Sequence, residues 1–173
     1  MPTRVGVAVP AAGLGRRMGG VRKPFLELAG QPVLLRSLRP FLAEPRVTAI
    51  AIAVTREEVD NQPEWLTDLD KRIVVVEGGA TRGASVACAI AALPGDVTEI
   101  AVHDGARPLV KPEVIGRCID LACAGFGAVA GEPMIDLSLI HISAPTRRYA
   151  IAYAGVCVKK KRGGGGGGGG GGG

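Results

Sequence analysis

The chain has 173 residues, 47% of them hydrophobic and 21% charged, which is enough to bury the core of one domain. Its formal charge of +5 is unevenly placed: residues 1–136 hold 15 Lys and Arg against all 16 Asp and Glu, leaving −1, and the surplus lies in Arg147, Arg148, Lys159, Lys160, Lys161 and Arg162. A body so balanced argues against a nucleic-acid surface, and no run reaches the roughly 18 apolar residues that a membrane span requires.

Met1-Pro2-Thr3-Arg4 leads directly into an apolar run, with nothing resembling a secretory signal. That run, Val5–Val9, reads as a strand, and a glycine-rich loop over residues 10–24 follows it. Pro32–Leu42 then reads as a helix, Thr48–Val54 as a strand, Pro63–Leu69 as a short helix and Ile73–Val76 as a third strand. Thr81–Leu93 is a helix by the spacing of Val86, Ala89, Ile90 and Leu93. Glu99–Val102 is a strand, Lys111–Ala124 a helix and Ala128–Ala130 a last strand. The strands are β-branched or wholly apolar, as expected when both faces of a parallel sheet are covered. This alternation predicts a three-layer α/β domain, in which ligands bind beyond the carboxyl ends of the strands. Three polar or glycine-rich loops fall at those ends: residues 10–24, Gly78–Ser85 and His103–Pro108. The cysteines, Cys88, Cys118, Cys123 and Cys157, form no Cys-x-x-Cys pair, and Cys88 and Cys118 read as core thiols. A reduced, cytoplasmic protein is expected.

The first loop sets four glycines beside Arg16, Arg17, Arg22 and Lys23. Glycines let successive backbone N–H groups converge on an anion, and the cations add mobile positive charge, so the pattern suits a polyphosphate. A dinucleotide fingerprint would need a third glycine at the helix start and an acid closing the second strand, but Arg16 and Arg17 follow Gly15 and that strand ends Val54-Thr55-Arg56. A Walker A loop fails as well, because Pro24 follows Lys23.

Three ordered segments, PAAGLGRRMGGVRKP (residues 10–24), GGATRGASV (78–86) and VHDGARP (102–108), resemble the signatures of sugar and polyol phosphate nucleotidyltransferases. The Pro-Ala-Ala-Gly opening is most similar to 2-C-methyl-D-erythritol 4-phosphate cytidylyltransferases, and the resemblance covers residues 4–136. It implies a three-layer Rossmann-like nucleotide-diphospho-sugar transferase fold with a mostly parallel sheet, here truncated. It also implies cytidylyl transfer from CTP to 2-C-methyl-D-erythritol 4-phosphate, impaired in a truncated chain, with Mg²⁺ bridging the phosphates and a homodimeric parent. By the same resemblance, Arg17 and Lys23 are catalytic, and Pro10, Ala11, Ala12, Gly13, Gly78, Gly79, Ser85 and Gly105 bind CTP. Asp104, also the candidate metal ligand, and Arg107 belong to the acceptor or metal side; Arg107 either binds phosphate or pairs with Asp104. Ala80 stands where some members carry an acid near ribose, and His103 reads as structural. The alternatives are a ribitol 5-phosphate cytidylyltransferase and a non-catalytic nucleotide-binding fragment.

After Asp136 the character changes. Residues 137–162 resemble a sequencing-library transposase adapter read in frame and then translated poly-A, so they are expected to be non-native to the domain. Residues 163–173 are eleven glycines, which can bury nothing and are expected to be a disordered coil. The partial domain is therefore expected to end at residue 136.

Overall fold

The computed structural model describes residues 2–13, 22–132 and 152–160. In chain order these form β1 (Val5–Pro10), a single 3-10 turn at Lys23–Phe25, a hairpin of β2 (Glu27–Leu28) and β3 (Gln31–Pro32), and α1 (Val33–Leu42). Next come β4 (Val47–Val54), α2 (Arg56–Asp60), α3 (Glu64–Thr67), β5 (Ile73–Glu77) and α4 (Arg82–Ala91). The order closes with β6 (Glu99–His103), α5 (Pro112–Cys123), β7 (Ala128–Glu132) and β8 (Ala152–Lys160).

The main sheet has the order β5-β4-β1-β6-β8-β7. β1 runs parallel to both β4 and β6, and β5 parallel to β4, as the apolar runs predict. Each crossover carries a helix onto one face, which yields the three-layer α/β domain. On one face Val5, Val7 and Val9 of β1 and Ile50, Ile52 and Val54 of β4 meet Leu34, Leu38 and Phe41 of α1 and Ile115, Cys118, Ile119 and Ala122 of α5. On the other face Ala8, Ala49, Ala51 and Ala53 meet Ala89 of α4, with Leu93 and Val97 beyond it. The period-2 alternation of large and small residues along β1 and β4 thus sends bulk to one layer and alanines to the other. Gly6 continues the small side: a Cβ there would stand 2.8 Å from Leu93 Cδ1.

The predicted strands and helices recur with most ends moved by a residue or two, and four differences stand out. The helix expected over Pro63–Leu69 is one turn, Glu64–Thr67, and α4 stops at Ala91 ahead of Pro94. α2, absent from the sequence reading, is started by a reciprocal capping box between Thr55 and Glu58. β8 lies inside the segment set apart as adapter-like, where no strand was expected. Its backbone pairs antiparallel with β6 and with β7, and its sequence, with two valines and a tyrosine, suits an extended chain. The remaining adapter-like residues and the glycine run lie outside the described residues. Among the described residues no helix is long and apolar enough to cross a membrane.

Arg72 locks the edge of the sheet farthest from β7. It donates to the carbonyl oxygens of Val47 and Leu42, both at 2.9 Å, and pairs with Asp70 at 2.8 Å. The hydrogen bond from Arg72 holds the Asp70 carboxyl down at about 2. A depressed carboxylate pKa contributes stability above its unfolded value of 3.8, and that contribution disappears as pH falls through about 2. Asp70→Asn is therefore expected to lower the unfolding free energy at neutral pH. Its deficit against the parent protein should shrink as pH drops below about 4, as urea unfolding at a series of pH values will read.

Candidate functional site

The carboxyl ends of the parallel strands open into one cleft because two backbone bonds carry the sheet's register past the strands. Ala11 N–H donates to Ala53 O at 2.7 Å, and Gly78 N–H donates to Val54 O at 2.7 Å. These bonds bring the start of the glycine-rich loop beside the β5–α4 turn. The resulting cleft, about 810 Å³, is lined along its floor by Pro10, Ala11, Ala12 and Gly13. Gly78, Gly79, Ala80, Thr81, Arg82 and Ser85 form the wall built by the β5–α4 turn, and Thr55, Arg56, Glu77, Lys23, Pro24, Asp104 and Ala106 complete the lining.

The turn into α4 is held by short local bonds. Thr81 caps the helix by accepting from Ala84 N–H at 3.1 Å, while the buried Ser85 hydroxyl is within 3.1 Å of Gly79 O and 3.0 Å of Thr81 O. The helix N-terminus and its unpaired N–H groups consequently face the cleft, an arrangement that favours an anion. Gly78 and Gly79 are glycines for a steric reason. A Cβ on Gly78 would stand 2.5 Å from Ala12 Cβ, and one on Gly79 would approach Ala84 Cβ at 2.4 Å. Both are closer than carbon atoms can pack, so Gly78 meets Ala12 of the floor, and Gly79 meets Ala84 of α4, only by lacking a side chain.

Asp104 follows β6 and is half-buried at the cleft margin. Its Oδ1 accepts from Arg82 Nε at 3.2 Å and Nη2 at 3.0 Å, and its Oδ2 accepts from Arg107 Nε at 3.0 Å. Burial pushes this carboxyl up, and the hydrogen bonds from Arg107 and Arg82 outweigh it, so the pKa lies below the usual carboxylate value. The group stays ionised and bridges two cations. Of the two roles open to Arg107 in the sequence, the structure displays the pairing with Asp104.

Not every expected site residue lines the cleft. Gly105 is buried behind it, where a Cβ would meet Leu34, Val9 and Ala11 at 3.1 to 3.4 Å, and its carbonyl accepts from Ser37 Oγ at 3.1 Å. It packs in the core beside Leu34 and Val9 rather than among the residues that line the cleft. His103 is fully buried, tilted against Phe41 at a centroid distance of 4.9 Å, in keeping with the structural reading. Arg17 lies outside the described residues. Arg22, counted among the mobile cations, is instead tied down: it pairs with Glu58 at 2.7 Å and donates to Ala11 O at 3.0 Å. Sequence reading assigned no role to Thr55, Arg56, Glu77 or Arg82, although each follows or closes a strand or opens α4. The Thr-x-x-Glu spacing of Thr55 and Glu58 was the available signal for α2.

A mostly parallel sheet with a glycine-rich loop after β1, and a helix N-terminus and a lysine around one cleft, is the architecture of an α/β protein of the nucleotidyltransferase fold. The chain belongs to the 2-C-methyl-D-erythritol 4-phosphate cytidylyltransferase (IspD) family, whose family model matches residues 5–141. It is 39% identical over 142 residues to the enzyme of that name from Acidobacterium capsulatum, covering 77% of this chain and 59% of the relative. It is 37% identical over 147 residues to the one from Solibacter usitatus, with the same coverage of 77% and 59%. The chain thus spans about three-fifths of the length of these curated relatives. Among solved structures, 4-diphosphocytidyl-2C-methyl-D-erythritol synthase from Anaerococcus prevotii shares the fold, with a TM-score of 0.75 at 21% identity over 92% of this chain and 70% of that one. The 2-C-methyl-D-erythritol 4-phosphate cytidylyltransferase of Thermus thermophilus has a TM-score of 0.59 at 29% identity, over 79% of this chain and 57% of that one.

The steric reading of the wall has a direct test. Gly79→Ala is expected to cost about 1–3 kcal/mol of stability, as overpacking does. Gly13→Ala, with nothing among the described residues within 4 Å of the new Cβ, should be close to neutral. Chemical denaturation of the two variants beside the parent protein separates these outcomes.

Proposed function

We propose that this chain carries the nucleotide side of a CTP:2-C-methyl-D-erythritol 4-phosphate cytidylyltransferase of the non-mevalonate isoprenoid pathway. The observation that carries the reading is the convergence of all three family segments on one cleft at the carboxyl ends of β1, β5 and β6. In the reaction, a phosphate oxygen of the methylerythritol phosphate attacks the α-phosphorus of CTP in line. The bond from that phosphorus to the bridging oxygen of the β-phosphate breaks, and pyrophosphate leaves with the electron pair. No covalent enzyme intermediate is needed, so the protein's work is to position the partners and neutralise charge.

Ala11, Ala12 and Gly13 offer backbone to the triphosphate, and Lys23, which also lines the cleft, supplies a cation with reach. Arg17 is proposed as its companion at the α-phosphate. Gly78, Gly79 and Ser85 are proposed to receive the cytosine. Their close packing leaves a flat wall, and the Ser85 hydroxyl oxygen has lone pairs to accept from a base amine. Pro10 closes the floor beneath them.

Asp104 suits a magnesium ion shared with substrate. Among the described residues no group of three or more His, Cys, Asp or Glu is placed to hold a metal, so a protein cage is not what the residues offer. One ionised carboxylate beside a polyphosphate cleft does fit the way Mg²⁺ is held, mostly by phosphates and water. Bound there, the ion would neutralise the triphosphate and polarise it toward attack. Arg82 and Arg107 keep the carboxylate ionised and aimed, and the more exposed Arg82 is placed to exchange its contact for a phosphate.

The chain covers 59% of the length of the first of these relatives, so the reading is tested first on nucleotide binding. A cytoplasmic location and a homodimeric parent enzyme are part of this proposal. Calorimetric titration should show CTP binding strengthened by Mg²⁺. Absence of CTP binding, or preference for a purine triphosphate, would refute the reading. Lys23→Ala is expected to reduce whatever turnover is measured by about 100-fold or more, the scale for losing one preorganised charge-stabilising donor.

A further inference from the structure

Beside the cleft sits a side-chain hub that the proposed chemistry does not use. Arg22 Nη2 donates to Glu58 Oε2 at 2.7 Å and to Ala11 O at 3.0 Å, and its Nη1 donates to Thr55 Oγ1 at 3.3 Å. The guanidinium also lies 5.8 Å from the centroid of the Phe25 ring. Glu58 Oε2 in turn accepts from Thr55 N–H at 2.9 Å and from Thr55 Oγ1 at 2.7 Å. The two charged side chains are only 23% and 18% exposed, well sheltered for a pair at a loop junction.

Three segments meet at this hub: the backbone leaving β1 at Ala11, the backbone leaving β4 at Thr55, and the 3-10 turn that begins at Lys23. The turn is itself built on Arg22, whose carbonyl accepts from Phe25 N–H at 3.1 Å. Glu58 neutralises the guanidinium, so Arg22 adds little net charge to the cleft. Its planar fork instead joins a carbonyl, a hydroxyl and a carboxylate that belong to different elements, a task a lysine ammonium does poorly. Lys23 is the next residue. Among the described residues no hydrogen bond or ion pair holds its own side chain, so its aim depends on its backbone.

We propose that Arg22, with Glu58, is a positioning residue that anchors the backbone of Lys23 at the cleft so that its ammonium meets the nucleotide phosphates. This rests on the reading of Lys23 as a phosphate-binding cation. Without the anchor, the lysine must be ordered at the moment of binding, and affinity for the charged part of the ligand falls while the base wall is untouched.

The test is a double-mutant cycle on the full chain, with CTP and cytidine as probes. Arg22→Ala and Glu58→Gln should each weaken CTP binding about tenfold, the scale of a charge-assisted hydrogen bond, and leave cytidine affinity unchanged. In a Lys23→Ala background, Arg22→Ala should cost less than about twofold, because the residue it positions is gone. Equal losses in both backgrounds, or a parallel loss for cytidine, overturn the proposal. Amide exchange in nucleotide-free protein supplies an arm independent of ligand. The Phe25 and Leu26 amides should exchange about tenfold faster in both variants while the β1 amides, which report folding, stay protected. If the parent chain does not bind CTP, the functional reading fails, and unchanged exchange at Phe25 and Leu26 would separately overturn the anchor.

Discussion

The site depends on how closely α4 approaches the sheet. Along β1 and β4 the residues beneath this helix are Gly6, Ala8, Ala49, Ala51 and Ala53, while the opposite face of the same strands carries valines and isoleucines. A helix over alanines sits nearer the strands than one over branched side chains, because interaxial distance follows the residues at the contact. That approach continues beyond the strand ends, where Gly78 packs on Ala12 and Gly79 on Ala84 with no room for a Cβ. The wall and floor of the cleft are therefore extensions of one small-residue seam. Enlarging any member of the seam would lift α4 and open the cleft along with it.

Electrostatics then sort the charges that this geometry gathers. Asp104 is kept ionised by two arginines, and it occupies contacts that both could otherwise offer to an anion. An anionic ligand alone would meet the carboxylate unfavourably, whereas an anion carrying its own divalent cation meets a ready partner. The same pair of arginines can turn toward phosphate once the carboxylate is otherwise satisfied. On the proposed reading, this arrangement would favour a metal-complexed polyphosphate over a bare one.

Periodicity made the layered domain legible, since the apolar runs at 5–9, 48–54, 73–76 and 99–102 are too consistent with buried parallel strands to be read otherwise. The cleft was legible as three loops at strand ends, because in such sheets ligands bind in the crevice outside the carboxyl ends, where the strand-to-helix loops gather. What escaped was anything decided by contacts between segments. Arg22 has the composition of a phosphate-binding cation, and only its distance to Glu58, 36 residues on, shows that it is a tether. Gly105 sits in a loop that reads as ligand-binding, yet its neighbours Leu34 and Val9 come from the core beneath the cleft. β8 escaped for another reason: its residues suit a strand, but nothing local marks them as the pairing partner of β6.

These corrections divide the cations of the first loop by task. In sequence, Arg22 and Lys23 are adjacent positive charges with the same apparent purpose. In the fold, Arg22 has its charge neutralised and its geometry used, while Lys23 keeps its charge and has its geometry set by its neighbour. The division has a physical logic. A long side chain directed at a reacting phosphate gains from flexibility at its tip and from rigidity at its root, because ordering the root in advance lowers the entropy lost on binding. A second cation at the root that remained unpaired would compete for the same phosphate and pull the turn out of place. Pairing it with Glu58, on a helix nucleated by Thr55 at the end of a core strand, transfers the stiffness of the sheet to the turn that carries Lys23.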